Sequence, residues 1–362
     1  MEIGLLDADR TFGKRKHFPN LALMKLSTYY KELGHDVKLI DDLSFDLFDS
    51  FDNYNKIFCS KVFTNTEVPN NILNLDNIEL GGTGFYYDKA QPLPYEIEHS
   101  YPDYELYPDI DYSLGFLTRG CFRKCPFCVN KNYNHVELAS PIEEFYNPKS
   151  KYIEFLDDNF IGYKKRDTIL KQIMELNKPF TFKQGLDLRI LSKGTAELLF
   201  KAKYKGDYIF AFDNIKDYNQ IFDKLKMVRT ITDKTNIKSY VLWAYDYNNK
   251  YDNDFWINDL HSLLVRIKLL YEYQVYPFVM KYEEYLNSPY KHLYINIANY
   301  FNQPRCFKSM TLETFLEKRN KPSYIDELVK LGLYELLELK FINKYSDKYY
   351  DERKWHEKIQ KV

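Results

Sequence analysis

Short apolar runs alternate with amphipathic stretches in the first part of the chain. Four of the apolar runs have the composition of buried strands, at residues 2–7, 37–40, 56–62 and 77–80. Between the first two runs, apolar side chains recur at helical spacing from about Asn20 to Gly34, and glycine suits the left-handed position that ends a helix. This alternation predicts an α/β fold that begins with a small Rossmann-like parallel sheet over residues 1–84.

Two stretches after these strands lack a regular period. The run Gly81-Gly82-Thr83-Gly84 has no lysine and no clear helix after it, which favours a turn with an unusual backbone over a phosphate-binding loop. Residues 85–111 carry four prolines among tyrosines and acidic residues. We therefore expect a linker there that packs across a surface.

A second alternation of strands and helices begins at Tyr112. Strand-like runs occur at residues 112–117, 152–156, 180–183, 208–212, 239–243 and 275–280. Helical stretches separate them, at residues 166–176, 193–203 and 217–229 and after Asp252. Six strand-helix units predict a partial TIM-like barrel over residues 112–308, with functional groups at the carboxyl ends of the strands. Residues 309–362 change to short helices and predict a helical C-terminal appendage.

Composition narrows the class of protein. The chain has 362 residues, enough for two or three domains, and 51 Lys+Arg against 52 Asp+Glu leave a net charge of -1. Without a global basic field, nucleic acid is not indicated as a partner. No run of about 18 apolar residues is present, so we expect a soluble cytoplasmic protein with no membrane segment.

Three of the five cysteines, Cys121, Cys125 and Cys128, fall in one short window. Cys59 and Cys306 stand alone and are expected to be buried thiols. A 4Fe-4S cluster held by three thiolates would keep one iron open to an exogenous ligand. The alternatives are a zinc site completed by His135 in a structural or interaction module, and an electron-transfer cluster closed by Cys306.

The spacing Cys-x3-Cys-x2-Cys, after the first strand of a predicted partial barrel, resembles the signature of radical S-adenosylmethionine (SAM) enzymes. The resemblance implies that SAM chelates the open iron and is cleaved to methionine and a 5'-deoxyadenosyl radical, which abstracts hydrogen from a substrate. It also implies an external electron donor such as flavodoxin or ferredoxin. Phe127 matches the aromatic residue that the family places beside the adenine. The sequence around the cysteines is most similar to that of the branch whose members often carry an N-terminal cobalamin-binding domain.

Further cofactor contacts are implied at later strand ends. Asp157, Asp158 and Asn159 match a turn that holds the SAM ammonium group, and a turn that caps the next helix is the alternative. At the next strand, Gln184, Asp187 and Arg189 resemble polar residues that face the cofactor or substrate, although an Asp-Arg pair can also be a structural bridge. Trp243, at the end of the fifth strand, is a candidate contact whose alternative is packing.

The N-terminal region departs from the cobalamin branch. A lower-ligand histidine would occur in Asp-x-His-x-x-Gly, but residues 9–13 are Asp-Arg-Thr-Phe-Gly, and His17 is in the wrong place. Cobalamin is therefore doubtful as a cofactor, and binding without a histidine stays open. Neither the substrate, a small molecule or a peptide, nor the fate of SAM follows from the sequence.

Overall fold

The computed structural model describes residues 1–13, 18–40, 51 and 53–342. Two compact units divide the chain, Met1–Lys183 and Gln184–Val362. His17 and the charged C-terminal run at residues 347–358 lie outside the described residues. The predicted domain boundaries at residues 84, 111 and 308 stay predictions.

The first unit begins with a four-stranded parallel sheet. Its strands are β1 (Glu2–Asp7), β2 (Asp36–Leu39), β3 (Lys56–Ser60) and β4 (Ile78–Gly81), in the order β2-β1-β3-β4. Its helices are α1 (Ala8–Thr11), α2 (Leu21–Glu32) and α3 (Asn70–Leu73). The Asn20 side chain caps α2 by accepting from the Leu23 amide. The four strands lie within two residues of their predicted bounds.

The glycine run after β4 forms a tight turn. Gly82 has a φ of +99°, and a Cβ there would lie 2.3 Å from the carbonyl oxygen of Lys61. Only glycine tolerates both conditions without strain, so the predicted unusual turn is confirmed. The short helix α4 (Thr83–Tyr86) follows it directly.

The predicted linker packs against the N-terminal sheet through Tyr107. Its hydroxyl donates a 2.8 Å hydrogen bond to the Asp7 carboxylate at the end of β1, and its ring is completely buried. Burial raises the pKa of Asp7 to about 6. Helix α5 (Tyr95–Glu98) and a 3-10 turn at Tyr104–Leu106 lie in the same segment.

The rest of the first unit contains a second parallel sheet. Strands β5 (Tyr112–Gly115), β8 (Tyr152–Phe155) and β9 (Phe180–Phe182) lie in that order, and helix α6 (Arg166–Glu175) connects the last two. A separate antiparallel ribbon pairs β6 (Thr118–Arg119) with β7 (Glu137–Leu138). The core of this part is aromatic, and the rings of Phe155, Phe180 and Phe182 all contact one another.

Gly115 provides a test of that packing. A Cβ at Gly115 would lie 2.3 Å from the Phe145 ring, so Gly115→Ala should destabilise the protein by about 1–3 kcal/mol. The matched control is Gly194→Ala, because a Cβ there meets nothing within 4 Å and the residue lies in a helix. The control should stabilise by about 0.5–1 kcal/mol. Urea unfolding measures both, and equal stability of the two variants would contradict the packing account.

The second unit holds a parallel sheet of β10 (Tyr208–Ala211), β11 (Ile237–Trp243) and β12 (Tyr276–Lys281), in that order. Helices α7 (Lys193–Lys201), α8 (Tyr218–Ile231) and α9 (Asn253–Glu272) occupy the predicted helical stretches. The remaining helices are α10 (Lys291–Phe301), α11 (Pro304–Phe307), α12 (Leu312–Glu317), α13 (Pro322–Lys330) and α14 (Tyr334–Glu338).

The protein is thus a mixed α/β fold with parallel sheets, as predicted. The six strands predicted for the barrel all exist, three in each unit, within two residues of their predicted bounds. Closure into one barrel and the Rossmann-like character of the first sheet stay predictions. Among the described residues, no helix is both long and apolar enough to span a bilayer.

Candidate functional site

The three clustered cysteines lie in a loop, residues 120–136, whose ends are joined by the β6–β7 ribbon. Arg119 pairs with Glu137 at the base of the loop. Gly120 has a φ of +91°, and a Cβ there would lie 2.5 Å from the carbonyl oxygen of His135. Glycine therefore lets the two sides of the loop approach each other immediately before Cys121.

Backbone amides of the loop point at its sulfur atoms. All three cysteines are half-buried, and none of them is in a disulfide. The Arg123 amide donates to Cys121 Sγ at 3.4 Å, and the Asn130 amide donates to Cys128 Sγ at 3.4 Å. The Cys128 amide donates to the carbonyl of Cys125 at 2.9 Å. Hydrogen bonds to sulfur of this kind stabilise thiolates and tune clusters, so the donor chemistry suits an iron-sulfur group.

The thiols do not form a ready-made metal site. Across the described part of the chain, no three His, Cys, Asp or Glu side chains are grouped so that they could hold a metal ion. Cluster binding would therefore have to draw the thiols together. Because burial raises the pKa of Cys128, binding would also have to displace the proton of that thiol. His135, the predicted zinc alternative, is 73% exposed and its Nε2 lies 3.3 Å from Glu137.

The acidic turn after β8 joins the entrance of this loop. Both oxygens of Asp157 accept hydrogen bonds, from the Leu117 amide at 3.2 Å and from the Thr118 amide at 2.7 Å. The Thr118 hydroxyl adds a third at 2.6 Å. Asp158 accepts from the Gly120 amide at 2.7 Å. Because Asp157 is only 3% exposed, its observed role is to fix the backbone before the cysteines.

Asn159 connects the turn directly to a cysteine. Its Nδ2 donates to Cys121 Sγ at 3.3 Å, and the side chain is buried. Its Oδ1 is also buried and has no hydrogen-bond partner among the described residues. A buried acceptor without a partner costs free energy unless a ligand supplies a donor. A ligand that donates a hydrogen bond to this atom would remove that cost.

A pH dependence follows from the burial of Asp157, which raises the pKa of its carboxyl group from the ordinary value of 3.8 to about 7. Below about pH 4 the folded and unfolded states both hold the proton; between about pH 4 and 7 only the folded state does. The free energy of unfolding contributed by Asp157 therefore falls as the pH rises through that window.

The test compares the wild type with Asp157→Asn, which does not titrate there. The stability of the wild type relative to the variant should decrease from about pH 4 to 7 and stay constant above it. Urea unfolding at several pH values measures this difference. A difference that does not change with pH would show that the carboxyl group is ionised throughout.

In the second unit, Asp187 and Arg189 form the predicted pair. Arg189 Nε donates to Asp187 at 2.7 Å, and its Nη1 donates to Asp217 at 2.8 Å. This geometry matches the structural-bridge alternative. Gln184, predicted for the same site, is exposed. Trp243 is completely buried, donates from Nε1 to the Asp259 carbonyl at 3.2 Å and lies 4.1 Å from the Tyr294 ring centroid.

Sequence reasoning missed a buried network at the carboxyl ends of β10 and β11. Arg266 Nη1 donates to the carbonyls of Phe212, Asp213 and Leu242, the last at 2.7 Å. Asp213 in turn accepts from the Leu242 amide at 3.1 Å. The available signal was Arg266 itself, a charged residue beside Ile267 on the otherwise apolar stripe of α9.

A carboxylate lies at the same end of β11. Asp259 accepts from the Ala244 amide at 2.9 Å and from the Tyr294 hydroxyl at 2.7 Å. Burial raises the pKa of Asp259 to about 6. The two predicted lone cysteines are both buried, and burial raises the pKa of Cys59 to about 12.

Comparison with solved structures gives similarities of different extent. The cobalamin-dependent S-adenosylmethionine radical enzyme OxsB with aqua-cobalamin bound matches with a TM-score of 0.50 at 14% identity, over 72% of this chain and 52% of that one. Its apo form matches with a TM-score of 0.47 at 14% identity, over 72% and 51%. Streptococcus suis SuiB bound to precursor peptide SuiA gives a TM-score of 0.36 at 14% identity, over 78% and 64%.

The first of these matches supports the likeness in fold, and this chain spans about half the length of OxsB. No protein-family model and no curated protein sequence matches the chain. The match nevertheless agrees with the resemblance drawn from the cysteine spacing. The chain therefore has a fold similar to that of a radical SAM enzyme.

Proposed function

We propose that this protein is a radical SAM enzyme whose 4Fe-4S cluster is held by Cys121, Cys125 and Cys128. The observation that carries the proposal is the contact of Asn159 with Cys121, because the Oδ1 atom of the same side chain is buried beside that thiol and accepts no hydrogen bond from the part of the chain that the structure describes. When bound, the cluster supplies the electron that cleaves SAM to methionine and a 5'-deoxyadenosyl radical. The likeness in fold to OxsB supports the same reading.

The surrounding residues would bind and orient SAM. Asn159 Oδ1 would accept from the SAM ammonium, and Asp158 supplies a nearby negative charge. Asp157 would act through the backbone, because its oxygens already hold the entrance of the cysteine loop. Phe127 would lie beside the adenine.

The candidates of the second unit would serve the same reaction. We propose that Gln184 contacts cofactor or substrate from its exposed position, and that Asp187 and Arg189 act as a pair. Trp243, being buried, would shape the strand end by packing. The substrate, a small molecule or a peptide, stays unassigned.

The likeness to OxsB implies cobalamin. The first sheet, however, lacks the histidine that would bind the cobalt of cobalamin from below. Thr11 occupies the place of the histidine. The preceding acid, Asp9, is buried and accepts from the Val62 amide at 2.6 Å and from the Thr66 hydroxyl at 2.5 Å. Its carboxylate therefore stabilises the loop that contains Val62 and Thr66. We assign no step to cobalamin.

The experiment is anaerobic reconstitution with iron and sulfide, reduction with dithionite, and measurement of 5'-deoxyadenosine formed from SAM. We expect cluster absorbance and SAM-dependent product. A single tightly bound zinc without cluster absorbance would establish the zinc module instead. A cluster whose spectrum SAM leaves unchanged, with no product, would establish an electron-transfer protein.

A further inference from the structure

We propose that one face of the sheet formed by β5, β8 and β9 binds a protonated primary amine through the carboxylate of Glu154. This face, called the carboxylate face, carries Tyr112, Tyr152, Glu154, Thr181 and Lys183. The inference deepens the proposed function and rests on it, because the amine would belong to the substrate, whose class the sequence leaves open.

The register of the sheet determines which side chains share the carboxylate face. Glu154 of β8 lies beside Leu114 of β5 and Thr181 of β9, and residues that are paired in register direct their side chains to the same face. Two residues earlier, Tyr152 is paired with Tyr112, and their rings stack with centroids 5.1 Å apart. Because successive side chains alternate, the aromatic core described above lies on the opposite face.

Only one oxygen of the Glu154 carboxylate is bound, although the side chain is buried. Glu154 is 5% exposed, and its Oε1 accepts a hydrogen bond from Lys183 Nζ at 3.0 Å. Its Oε2 is buried as well, and it accepts no hydrogen bond from the residues that the structure describes. A buried acceptor that carries charge is more costly to leave without a donor than a neutral one. A ligand that donates to Oε2 would therefore gain binding free energy.

The charges on this face favour a cation over a neutral donor. The Lys183 side chain is 40% exposed, so water screens its charge, whereas the carboxylate beside it is buried. Burial and then the charge of Glu154 raise the pKa of Tyr152 to about 12, and both also raise the pKa of Tyr112. The two hydroxyls thus stay neutral at physiological pH, and their stacked rings suit a neighbouring cation.

The carboxylate face is open at the carboxyl ends of its strands. Lys183 is exposed, and Phe116 and Leu156 are partly exposed at the same end. Asp157, three residues after Glu154, holds the start of the cysteine loop through the Asp157 carboxylate. Three residues of extended strand span about 10 Å. A substrate whose amine reaches Glu154 from the open end would therefore extend towards the proposed cluster.

The test is a ligand-observed NMR titration of the full chain, before reconstitution, with n-butylammonium. Tetramethylammonium is the matched probe, because it has the same charge but no N–H donor. We expect the wild type to bind n-butylammonium at least about tenfold more tightly than tetramethylammonium, since only the former can donate to Oε2. Glu154→Gln should bind n-butylammonium about tenfold more weakly than the wild type, because a neutral amide replaces the charged acceptor.

Two further variants serve as controls. Glu175→Gln makes the same chemical change at an exposed position in α6 and should leave the dissociation constant unchanged. Lys183→Met removes the cation that competes for the carboxylate, so it should bind n-butylammonium at least as tightly as the wild type. Circular dichroism checks that each variant is folded. Should Glu154→Gln not fold, the two probes on the wild type still decide the question.

SAM also carries a primary ammonium group, so a second titration separates the two sources of this chemistry. It uses the reconstituted, unreduced protein with saturating SAM. The dissociation constant of n-butylammonium should be unchanged, because the SAM ammonium is proposed to bind at Asn159. Complete displacement of n-butylammonium by SAM would assign the Glu154 site to SAM and overturn the assignment to a substrate.

Three results would overturn the amine site: no binding of n-butylammonium, equal binding of the two probes by the wild type, or equal binding of n-butylammonium by the wild type and Glu154→Gln. The pair of Glu154 and Lys183 would then be structural, with water alone at Oε2. Absence of dithionite-driven SAM cleavage in the wild type would instead overturn the proposed function, since the first titration is made without the cluster.

Discussion

Replacing any one of Cys121, Cys125 and Cys128 by alanine is expected to abolish both cluster assembly and SAM cleavage. A cluster held by three protein thiolates cannot lose one without losing a corner, and the chain has no other cysteine within this loop. Iron and sulfide content, the absorbance of the reconstituted protein and 5'-deoxyadenosine formation would all fall to background. The circular dichroism of the unreconstituted variants should match that of the wild type.

The two buried cysteines are the matched controls. Cys59→Ala and Cys306→Ala should keep a full complement of iron and sulfide and wild-type cleavage, with only the loss of stability that removing a small buried group brings. Retention of the cluster after loss of Cys125 would contradict the three-thiol assignment. Loss of the cluster in Cys306→Ala would favour the electron-transfer alternative with a fourth protein ligand.

Arg266→Met is expected to lower the free energy of unfolding by about 3–5 kcal/mol, because it removes one partner from a buried charged network. The carbonyls of Phe212, Asp213 and Leu242 would lose their common donor. The carboxyl groups of Asp213 and Asp259 would lose the cation whose charge lowers their pKa values, so both pKa values should rise further. Urea unfolding followed by circular dichroism measures the change.

Arg305→Met is the control for that substitution. The Arg305 side chain is exposed and donates to Gln303 at 3.2 Å, so its loss should change stability by less than about 0.5 kcal/mol. Similar effects of the two substitutions would show that water reaches the Arg266 guanidinium in solution. A cluster content unchanged in Arg266→Met would place the effect in the second unit.

The fold was largely accessible from the sequence because most of its strands are apolar runs of ordinary length. The helix after Asp252 was equally clear, since the Asp252 side chain caps it and apolar side chains recur behind it. The ribbon of β6 and β7 was not predicted. Each of its strands has two residues, too few for a period, and its pairing joins segments that hydrophobicity does not distinguish.

For the candidate site, the sequence predicts a set of three cysteine ligands, but it does not predict the contacts that surround them. Cysteine spacing indicates the chemistry because metal ligands in one loop must be close in sequence. The hydrogen bonds that Asp157 accepts from Leu117 and Thr118 join residues about forty positions apart in the sequence. Local sequence patterns do not predict contacts between such distant residues. The burial of Trp243 was also not predictable, because an aromatic ring suits either a ligand contact or a hydrophobic core. The packing of Tyr294 against Trp243 favours the core.

The ribbon at the base of the cysteine loop determines how much structure would be lost if the proposed cluster were destroyed by oxygen. Backbone hydrogen bonds of the ribbon already join the two ends of the loop. The conformational entropy of closing the loop is therefore lost during folding and not during metal binding. Zinc fingers, by contrast, unfold when their metal leaves. If the protein holds the proposed cluster, losing it in air should loosen residues 120–136 while both sheets of the first unit keep their hydrogen bonds. The protein should therefore be able to lose and rebind the proposed cluster repeatedly without unfolding.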